Sequence, residues 1–336
     1  MTPPIPIVGV GMACPVGWHS ASALAALRAG VTRFTEVGDI IGPGGPARAS
    51  RLAALDPAAT RSERAAAFAR PALHEALAHL GDPGERPLPC FLATPEPDLG
   101  PPLDLAALLR DLADAAPPLR LELHRGESGR AGCFAALRAA TRRLLAPGED
   151  RFALVGGLDS LADPQTLAAL ADRDRLLGRS NLDGVLPGEG AAFLVLMRPT
   201  APAPRAPLAR LLATAVAREP LPFAEAGDRL SAADGLTAAF HQLRDGFTGR
   251  VDEVFSGATG AAYFGREFSH AYLRNAALMP EPLRCTDVYS ALGDVGAAAG
   301  PIAVVRAIAS LAHNHTVLVH ASSDTGAVGA CLLARP

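Results

Sequence analysis

The sequence predicts an α/β protein whose β-sheet is covered by helices on both faces. Apolar strand-like segments alternate with helical segments along the whole chain, which is the pattern of such sheets. The order of these elements repeats, once in residues 1–204 and once in residues 205–336. Hydrophobic residues make up 49% of the 336 residues, which is enough for a large core. We therefore expect two similar halves, divided near residue 204.

The individual elements follow from apolar runs, helical periodicity and punctuation by glycine and proline. Strands are predicted at residues 5–10, 89–93, 119–124, 154–157, 191–196, 205–217, 251–255, 317–320 and 327–333. Helices are predicted at residues 20–29, 62–80, 103–115, 130–145, 232–243, 265–278 and 301–312. Ser20 is a suitable helix cap and Gly30 a helix stop. Pro71 predicts a kink or a restart, and Pro301 suits the first position of a helix.

The composition argues against several classes of function. A net charge of −3 gives no indication of binding to nucleic acid or to an anionic membrane. All 31 basic residues are arginine, so no lysine can form a Schiff base. No apolar run is long enough for a membrane span, and the first residues lack the pattern of a signal peptide. The five cysteines are scattered without a C-x-x-C spacing, which predicts reduced thiols, no metal, no cofactor and a cytoplasmic location.

The segment of residues 154–196 carries the clearest motifs. It reads G-G-L-D-S at residues 156–160 and D-G-V-L-P-G-E-G-A at residues 183–191, before a buried strand. These motifs resemble the middle of the β-ketoacyl-ACP synthases, or ketosynthases, in which G-G-x-D-S precedes D-G-F-x-P-G-E-G-A. The segment G-V-G-M-A-C-P-V-G at residues 9–17 is similar to the opening of that family. The resemblance implies a thiolase-like fold, in which two similar βαβαβ-type halves pack as a layered α-β-α-β-α structure.

The resemblance also locates the positions at which ketosynthases carry a catalytic cysteine and two histidines. The cysteine sits at a helix N-terminus, where free N–H groups stabilise the thiolate and the oxyanion. On the best alignment Arg130 occupies the cysteine position, Ser256 the first histidine position and Gly293 the second. The closing loop, residues 322–329, lacks both phenylalanines of the family's gate. The resemblance therefore implies that none of the three catalytic side chains is present.

Several residues near these motifs are candidates for remaining chemistry. Cys133 could act as a nucleophile, although its place on the helix also fits a packed core position. Ser256 could act as a nucleophile or could only shape a turn. Asp294 could cap the helix that follows it, and His124, predicted to end a strand, is the histidine nearest the first-half site. Arg130 cannot be a nucleophile, but it could bind a carboxylate or a phosphate.

Three functions are compatible with these observations. The first is a catalytically inactive ketosynthase-like protein, a pseudoenzyme that serves as a scaffold or as an accessory subunit similar to a chain length factor, in a fatty acid or polyketide type of pathway. The second is an acyltransferase or thioesterase on the same fold that uses Cys133 or Ser256. The third is an active 3-oxoacyl-ACP synthase whose motifs are shifted by three residues. The resemblance implies a homodimer, or a heterodimer with another ketosynthase-like subunit, and acyl carrier protein or an acyl thioester as a further partner.

Overall fold

The computed structural model describes residues 3–42, 44–78, 80, 87–114, 120–148 and 150–336. The strands in these residues are β1 Ile5–Ala13, β2 Phe34–Gly42, β3 Gly45–Ser50, β4 Leu88–Thr94, β5 Leu121–Ser128, β6 Phe152–Ser160, β7 Glu189–Met197, β8 Ala209–Arg218, β9 Glu253–Ser256, β10 Cys285–Asp287, β11 Thr316–Ser322 and β12 Ala327–Ala334. The helices are α1 Ser20–Arg28, α2 Arg61–Leu77, α3 Leu105–Asp114, α4 Gly132–Leu145, α5 Pro164–Asp172, α6 Phe223–Ala226, α7 Asp234–Arg244, α8 Ala262–Arg274, α9 Tyr289–Leu292 and α10 Ala299–Ser310. None of the described helices is both long and apolar enough to cross a membrane.

Ten of the strands form one sheet in the order β10-β9-β11-β12-β8-β1-β7-β6-β4-β5. The two central strands, β1 and β8, pair over a short antiparallel stretch from Ile5 opposite Leu211 to Ile7 opposite Ala209. Outward from this centre the order is β1-β7-β6-β4-β5 on one side and β8-β12-β11-β9-β10 on the other. If the sheet strands of each half are numbered one to five along the chain, both orders read one, five, four, two, three. The repeated order of elements predicted from the sequence is therefore present in the sheet. The division of the chain into folding units at residue 204 stays a prediction.

Helices α4 and α10 form the middle layer between the two sides of the sheet. α4 contacts β4 and β6 on one side and β8 and β12 on the other, while α10 contacts β9 and β11 as well as β6 and β7. α2 covers the outer face of β1, β6 and β7, and α7 covers the outer face of β8 and β12. The resulting layers are helix, sheet, helix, sheet and helix, as predicted.

The acidic residues of the 154–196 segment attach α2 to the sheet. Glu189, at the start of β7, accepts hydrogen bonds from Arg64 Nε at 2.7 Å and Arg64 Nη2 at 2.9 Å, and both side chains are fully buried. Asp159, near the end of β6, accepts a hydrogen bond from Arg61 Nε at 2.9 Å. Gly11 of β1 permits the close approach of this helix, since a Cβ there would lie 1.9 Å from the carbonyl oxygen of Ala72. These motif residues therefore attach the outer helix α2 to the sheet.

Three details of the sequence prediction are wrong, and a fourth, at Pro71, is narrowed. β5 continues to Ser128, so His124 lies within the strand rather than at its end; residue 119, the predicted start, lies outside the described residues. The cap of α1 is His19, because the Ser20 hydroxyl donates to the Glu75 carboxylate at 2.8 Å instead. Pro301 is the third residue of α10 and not the first, because a 3-10 turn already leads into that helix. α2 runs through Pro71, which excludes a restart there, while a kink stays a prediction.

Candidate functional site

The candidate site is built around the turn that leads from β5 into α4. Gly129 has a φ of +78°, and its N–H donates to the carbonyl oxygen of Thr94 at 2.8 Å. The positive φ favours glycine here, and a Cβ would also lie 2.2 Å from the Oε1 atom of Glu96, so that carboxylate would have to shift. The turn directs Arg130 into the protein, where its side chain is 1% exposed.

Arg130 is bound by two carboxylates and a carbonyl group. Its Nη1 atom donates to Asp294 Oδ2 at 2.8 Å, its Nη2 atom to Asp324 Oδ1, and its Nε atom to the carbonyl oxygen of Ser322 at 3.0 Å. The guanidinium also lies over the ring of Phe264, 5.0 Å from the ring centroid. Burial alone would lower the pKa of Arg130, but the neighbouring carboxylates raise it above its usual value. The arginine is therefore charged and held in place.

A third carboxylate and a second arginine extend this ion network. Asp324 Oδ2 also accepts a hydrogen bond from Arg175 at 3.1 Å, and the Asp324 N–H donates to Glu96 Oε1 at 2.6 Å. Burial raises the pKa of Asp324, but Arg130 and Arg175 outweigh it, so the net shift is downward. Burial raises the pKa of Glu96 to about 7, and the charges of Asp324 and Asp294 add to this shift. Glu96 is consequently the member of the network that binds a proton near neutral pH.

The loop of residues 322–326 is fastened to the start of α4 by more than ion pairs. Ser323 Oγ accepts a hydrogen bond from the Ala131 N–H at 3.0 Å and donates one to the Ser128 carbonyl oxygen at 3.0 Å. A free N–H group at a helix start can bind an anion, but that of Ala131 is already used. Ser322 Oγ donates to Glu267, a buried residue of α8. The loop therefore packs directly on the start of α4 and is hydrogen-bonded to it.

The two second-half motif positions differ in what they contribute. Gly293 has a φ of +71°, and a Cβ there would lie 2.3 Å from the Leu186 carbonyl oxygen, so a histidine at this position would require the backbone to move. The next residue, Asp294, binds Arg130 and also accepts a hydrogen bond from the Gly296 N–H at 2.9 Å, as a cap would. Ser256 ends β9, and its Oγ accepts a hydrogen bond from the Ala258 N–H at 3.2 Å.

Cys133 and His124 are not joined to the ion network. Cys133 is fully buried among apolar side chains, and burial raises the pKa of its thiol well above its usual value. A thiolate, which is the reactive form, is therefore disfavoured at this position. His124 lies on β5 beside Glu122, with Nε2 3.2 Å from the carboxylate, and stacks on Phe91. The structure does not bring a nucleophile together with a base at either residue.

Sequence reasoning missed most members of the site. Glu96, Arg175 and Glu267 are not in any motif of the resemblance, and Asp324 lies in the closing loop but was given no role there. The one available signal was the charged residue Asp324 in a loop of small residues, next to two buried strands. No group of histidine, cysteine and acidic side chains within the described ranges could hold a metal ion.

Buried carboxylates make the stability of the protein depend on pH. Burial raises the pKa of Glu267 from 4.5 to about 7, so between these values the folded state binds a proton that the unfolded state has released. Stability should therefore fall as pH rises from 5 to 8, by about 3 kcal/mol for this one residue. Glu96 should act in the same direction. We expect urea unfolding of Glu267→Gln to show a shallower pH dependence, while an unchanged profile would exclude Glu267 as a contributor.

Comparisons with known proteins give matches only at the level of structure. No protein-family model matches the chain, and no curated protein sequence matches it. The ishigamide ketosynthase/chain length factor is similar with a TM-score of 0.69 and 20% identity, over 99% of each chain. A chain of the AntDE:AntF complex, a type II PKS acyl-carrier protein in complex with its ketosynthase bound to the hexaketide, has a TM-score of 0.77 and 15% identity over 100% of each chain. A ketosynthase from module 6 of the bacillaene synthase from Bacillus subtilis 168 has a TM-score of 0.74 and 13% identity, over 99% of this chain and 72% of that one.

These likenesses extend over the whole chain and have one fold in common. Identities of 13–20% are too low to carry over an activity, so what they establish is the architecture. The predicted fold class and the resemblance behind it are confirmed at that level. The chain has the thiolase-like fold of the ketosynthases and of the ketosynthase/chain length factor proteins.

Proposed function

We propose that this protein is a non-catalytic, ketosynthase-like subunit that acts beside an active ketosynthase, as a chain length factor does, in an acyl-chain pathway. One observation carries the proposal. Arg130, at the position where the resemblance implies the nucleophile, is buried in ion pairs with Asp294 and Asp324. An arginine with this environment can neither attack a thioester nor leave room for one. The buried ion pairs are those of a structural core, and they occupy the place where a ketosynthase would bind an acyl group.

The other side chains of the site support the same proposal. The positions of the two family histidines hold Ser256 and Gly293, so no imidazole is available there to polarise a thioester carbonyl. A shift of the motif by three residues would make Cys133 the nucleophile, but this thiol is buried and its pKa is raised. The acyltransferase and thioesterase alternatives need an accessible nucleophile with a base, and neither Cys133 nor Ser256 has one among its described contacts.

A purified sample of the chain should give no condensation product from malonyl and hexanoyl groups carried on acyl carrier protein. The physical reason is that decarboxylation and condensation need an acylated nucleophile, which this site does not provide. Product formation is measured by mass spectrometry, with an active ketosynthase in the same assay as the positive control. Product formed by the chain alone, and lost in Cys133→Ala, would show that it is an enzyme and overturn the proposal.

The free edge of β5 is the surface at which we expect the second subunit. β5 pairs with β4 along one edge and has no partner strand along the other within the described residues. Its Leu121 and Leu123 are only partly buried, so the strand leaves apolar surface exposed that a partner subunit could cover. Support also comes from the compared structures, one of which is named a ketosynthase/chain length factor and another an acyl-carrier protein in complex with its ketosynthase. Acyl carrier protein is a further expected partner.

Hydrogen exchange can test the expected pairing. In the sample that contains the partner subunit, the N–H groups on the outer edge of β5 should exchange as slowly as those inside the sheet, because the neighbouring subunit supplies their hydrogen-bond acceptors. The measurement is made by mass spectrometry on the chain alone and on the chain co-expressed with an active ketosynthase subunit. β10, the other edge of the sheet, is the internal control and should stay unprotected along its outer edge. Fast exchange of β5 in both samples would contradict pairing at this edge.

A further inference from the structure

A cavity lies at the C-terminal end of α4, away from Arg130. Its volume is about 880 Å³, which is within the range of small-molecule binding sites. It is formed by the last turns of α4, by β8 and by the segment after α7. The exposed side chains of Arg142 and Leu145 lie at its mouth. None of its residues takes part in the ion network or in the motifs of the resemblance.

The cavity combines an apolar wall with unpaired polar groups. The wall includes Leu145, Leu212, Phe247 and Leu332. Three polar residues of α4 line the cavity: Arg138, Thr141 and Arg142. Arg138 and Arg142 are four positions apart and so lie on one face of the helix, where both guanidinium groups can bind the same anionic group of a ligand.

The polar groups are unsatisfied within the described part of the chain. Neither Arg138 nor Arg142 has a carboxylate within ion-pair distance there, whereas the adjacent Arg143 pairs with Asp150 at 2.6 Å and with Glu122 at 3.7 Å. The Thr141 hydroxyl has no hydrogen-bond partner among the described residues, but it is shielded from the cavity and gives no contact to a ligand there. The two arginines are therefore the groups that an anion in the cavity would meet.

We propose that this cavity binds an amphipathic anion, an unbranched apolar chain that ends in one carboxylate. The carboxylate accepts hydrogen bonds from Arg138 and Arg142. The apolar chain lies along Leu212, Phe247 and Leu332, away from water. The two arginines are needed because the C-terminal end of a helix carries partial negative charge and would by itself repel an anion. This site is independent of the proposed function, and either can fail without the other.

Calorimetric titration of the full chain with decanoate tests the proposal. Decanoate should bind with a stoichiometry of one per chain, and decanol should bind at least about tenfold more weakly, because it lacks the charge that the arginines recognise. Arg138→Gln and Arg142→Gln should each weaken decanoate binding about tenfold. Phe247→Ala should weaken both ligands, since it removes part of the apolar wall.

Arg143→Gln is the matched control, because Arg143 is on the same helix end but outside the cavity. It should leave decanoate binding unchanged. Circular dichroism of each variant shows whether the fold is retained, which we expect because these arginines are partly or fully exposed. Three results would overturn the proposal: no decanoate binding by the wild type, equal binding of decanol and decanoate, or the same loss in Arg143→Gln as in the two cavity variants.

Discussion

Replacement of Arg130 by methionine should lower the free energy of unfolding by about 3–5 kcal/mol. Methionine fills much of the volume of the arginine side chain but leaves Asp294 and Asp324 buried without their cation. Asp324 keeps only Arg175, whose side chain is 31% exposed, while Asp294 is fully buried. A buried carboxylate without a partner must either take up a proton or draw water into the core. Urea unfolding at pH 7 followed by far-ultraviolet circular dichroism measures the loss.

Two comparisons separate this effect from general damage. Arg143→Met, on the helix that follows Arg130, removes a partly exposed ion pair with Asp150, and it should cost less than about 1 kcal/mol. The loss in Arg130→Met should also become smaller as the pH falls to about 3, where the aspartate carboxylates are largely protonated in the unfolded state as well as in the folded variant. An Arg130→Met variant as stable as the wild type would mean that the network does not contribute to folding.

Replacement of Arg64 by methionine should be about as costly, again about 3–5 kcal/mol. The reason is that Glu189, which is fully buried, receives two of its hydrogen bonds from Arg64. The remaining donors, the Leu52 N–H at 2.7 Å and the Ser160 hydroxyl at 2.9 Å, are neutral and cannot balance the carboxylate charge. Thermal and urea unfolding of the purified variant provide the measurement.

The double variant Arg64→Met, Glu189→Leu, compared with Arg64→Met alone, shows whether the loss comes from the unpaired charge. Removing both charges eliminates the stranded carboxylate, so the double variant should recover much of the stability that the single variant loses. Arg250→Met, which breaks an exposed pair with Glu281 at 3.3 Å, serves as the surface control. If the double variant were no more stable than Arg64→Met alone, the cost would come from packing and not from the unpaired charge.

The fold of this protein could be predicted from the sequence because the motifs and the alternation of elements that indicate it are local. The glycine and acidic residues of the 154–196 segment are contiguous, and the alternation of strands and helices needs no knowledge of distant contacts. The structure adds the reason for these residues: Asp159 and Glu189 each bind an arginine of α2 and so fasten the outer helix to the sheet. The end of β5 was misread because the Arg-Gly-Glu-Ser run at residues 125–128 has the composition of a turn, whereas pairing with β4 continues to Ser128 across an irregularity.

The candidate site was only partly readable because its contacts are not local. Arg130 meets Asp294 and Asp324 across separations of 164 and 194 residues, and no spacing rule connects them. The sequence identified Arg130 and Asp294 as candidates and named a carboxylate or a phosphate as what the arginine could bind, but it offered no way to pair the two. For Cys133 the sequence allowed a nucleophile or a packed core position, and the structure places the thiol in the core.

Intact-mass spectrometry after incubation with an acyl thioester tests the central claim most directly. The claim is that the ion network around Arg130 closes the position of the family nucleophile and leaves no acyl acceptor in the site. The wild-type protein, incubated with hexanoyl-pantetheine or with hexanoyl groups on acyl carrier protein, should keep its unmodified mass, while an active ketosynthase treated in parallel gains one acyl group. A stoichiometric acyl adduct that peptide mapping places on Cys133 or Ser256 would contradict the account.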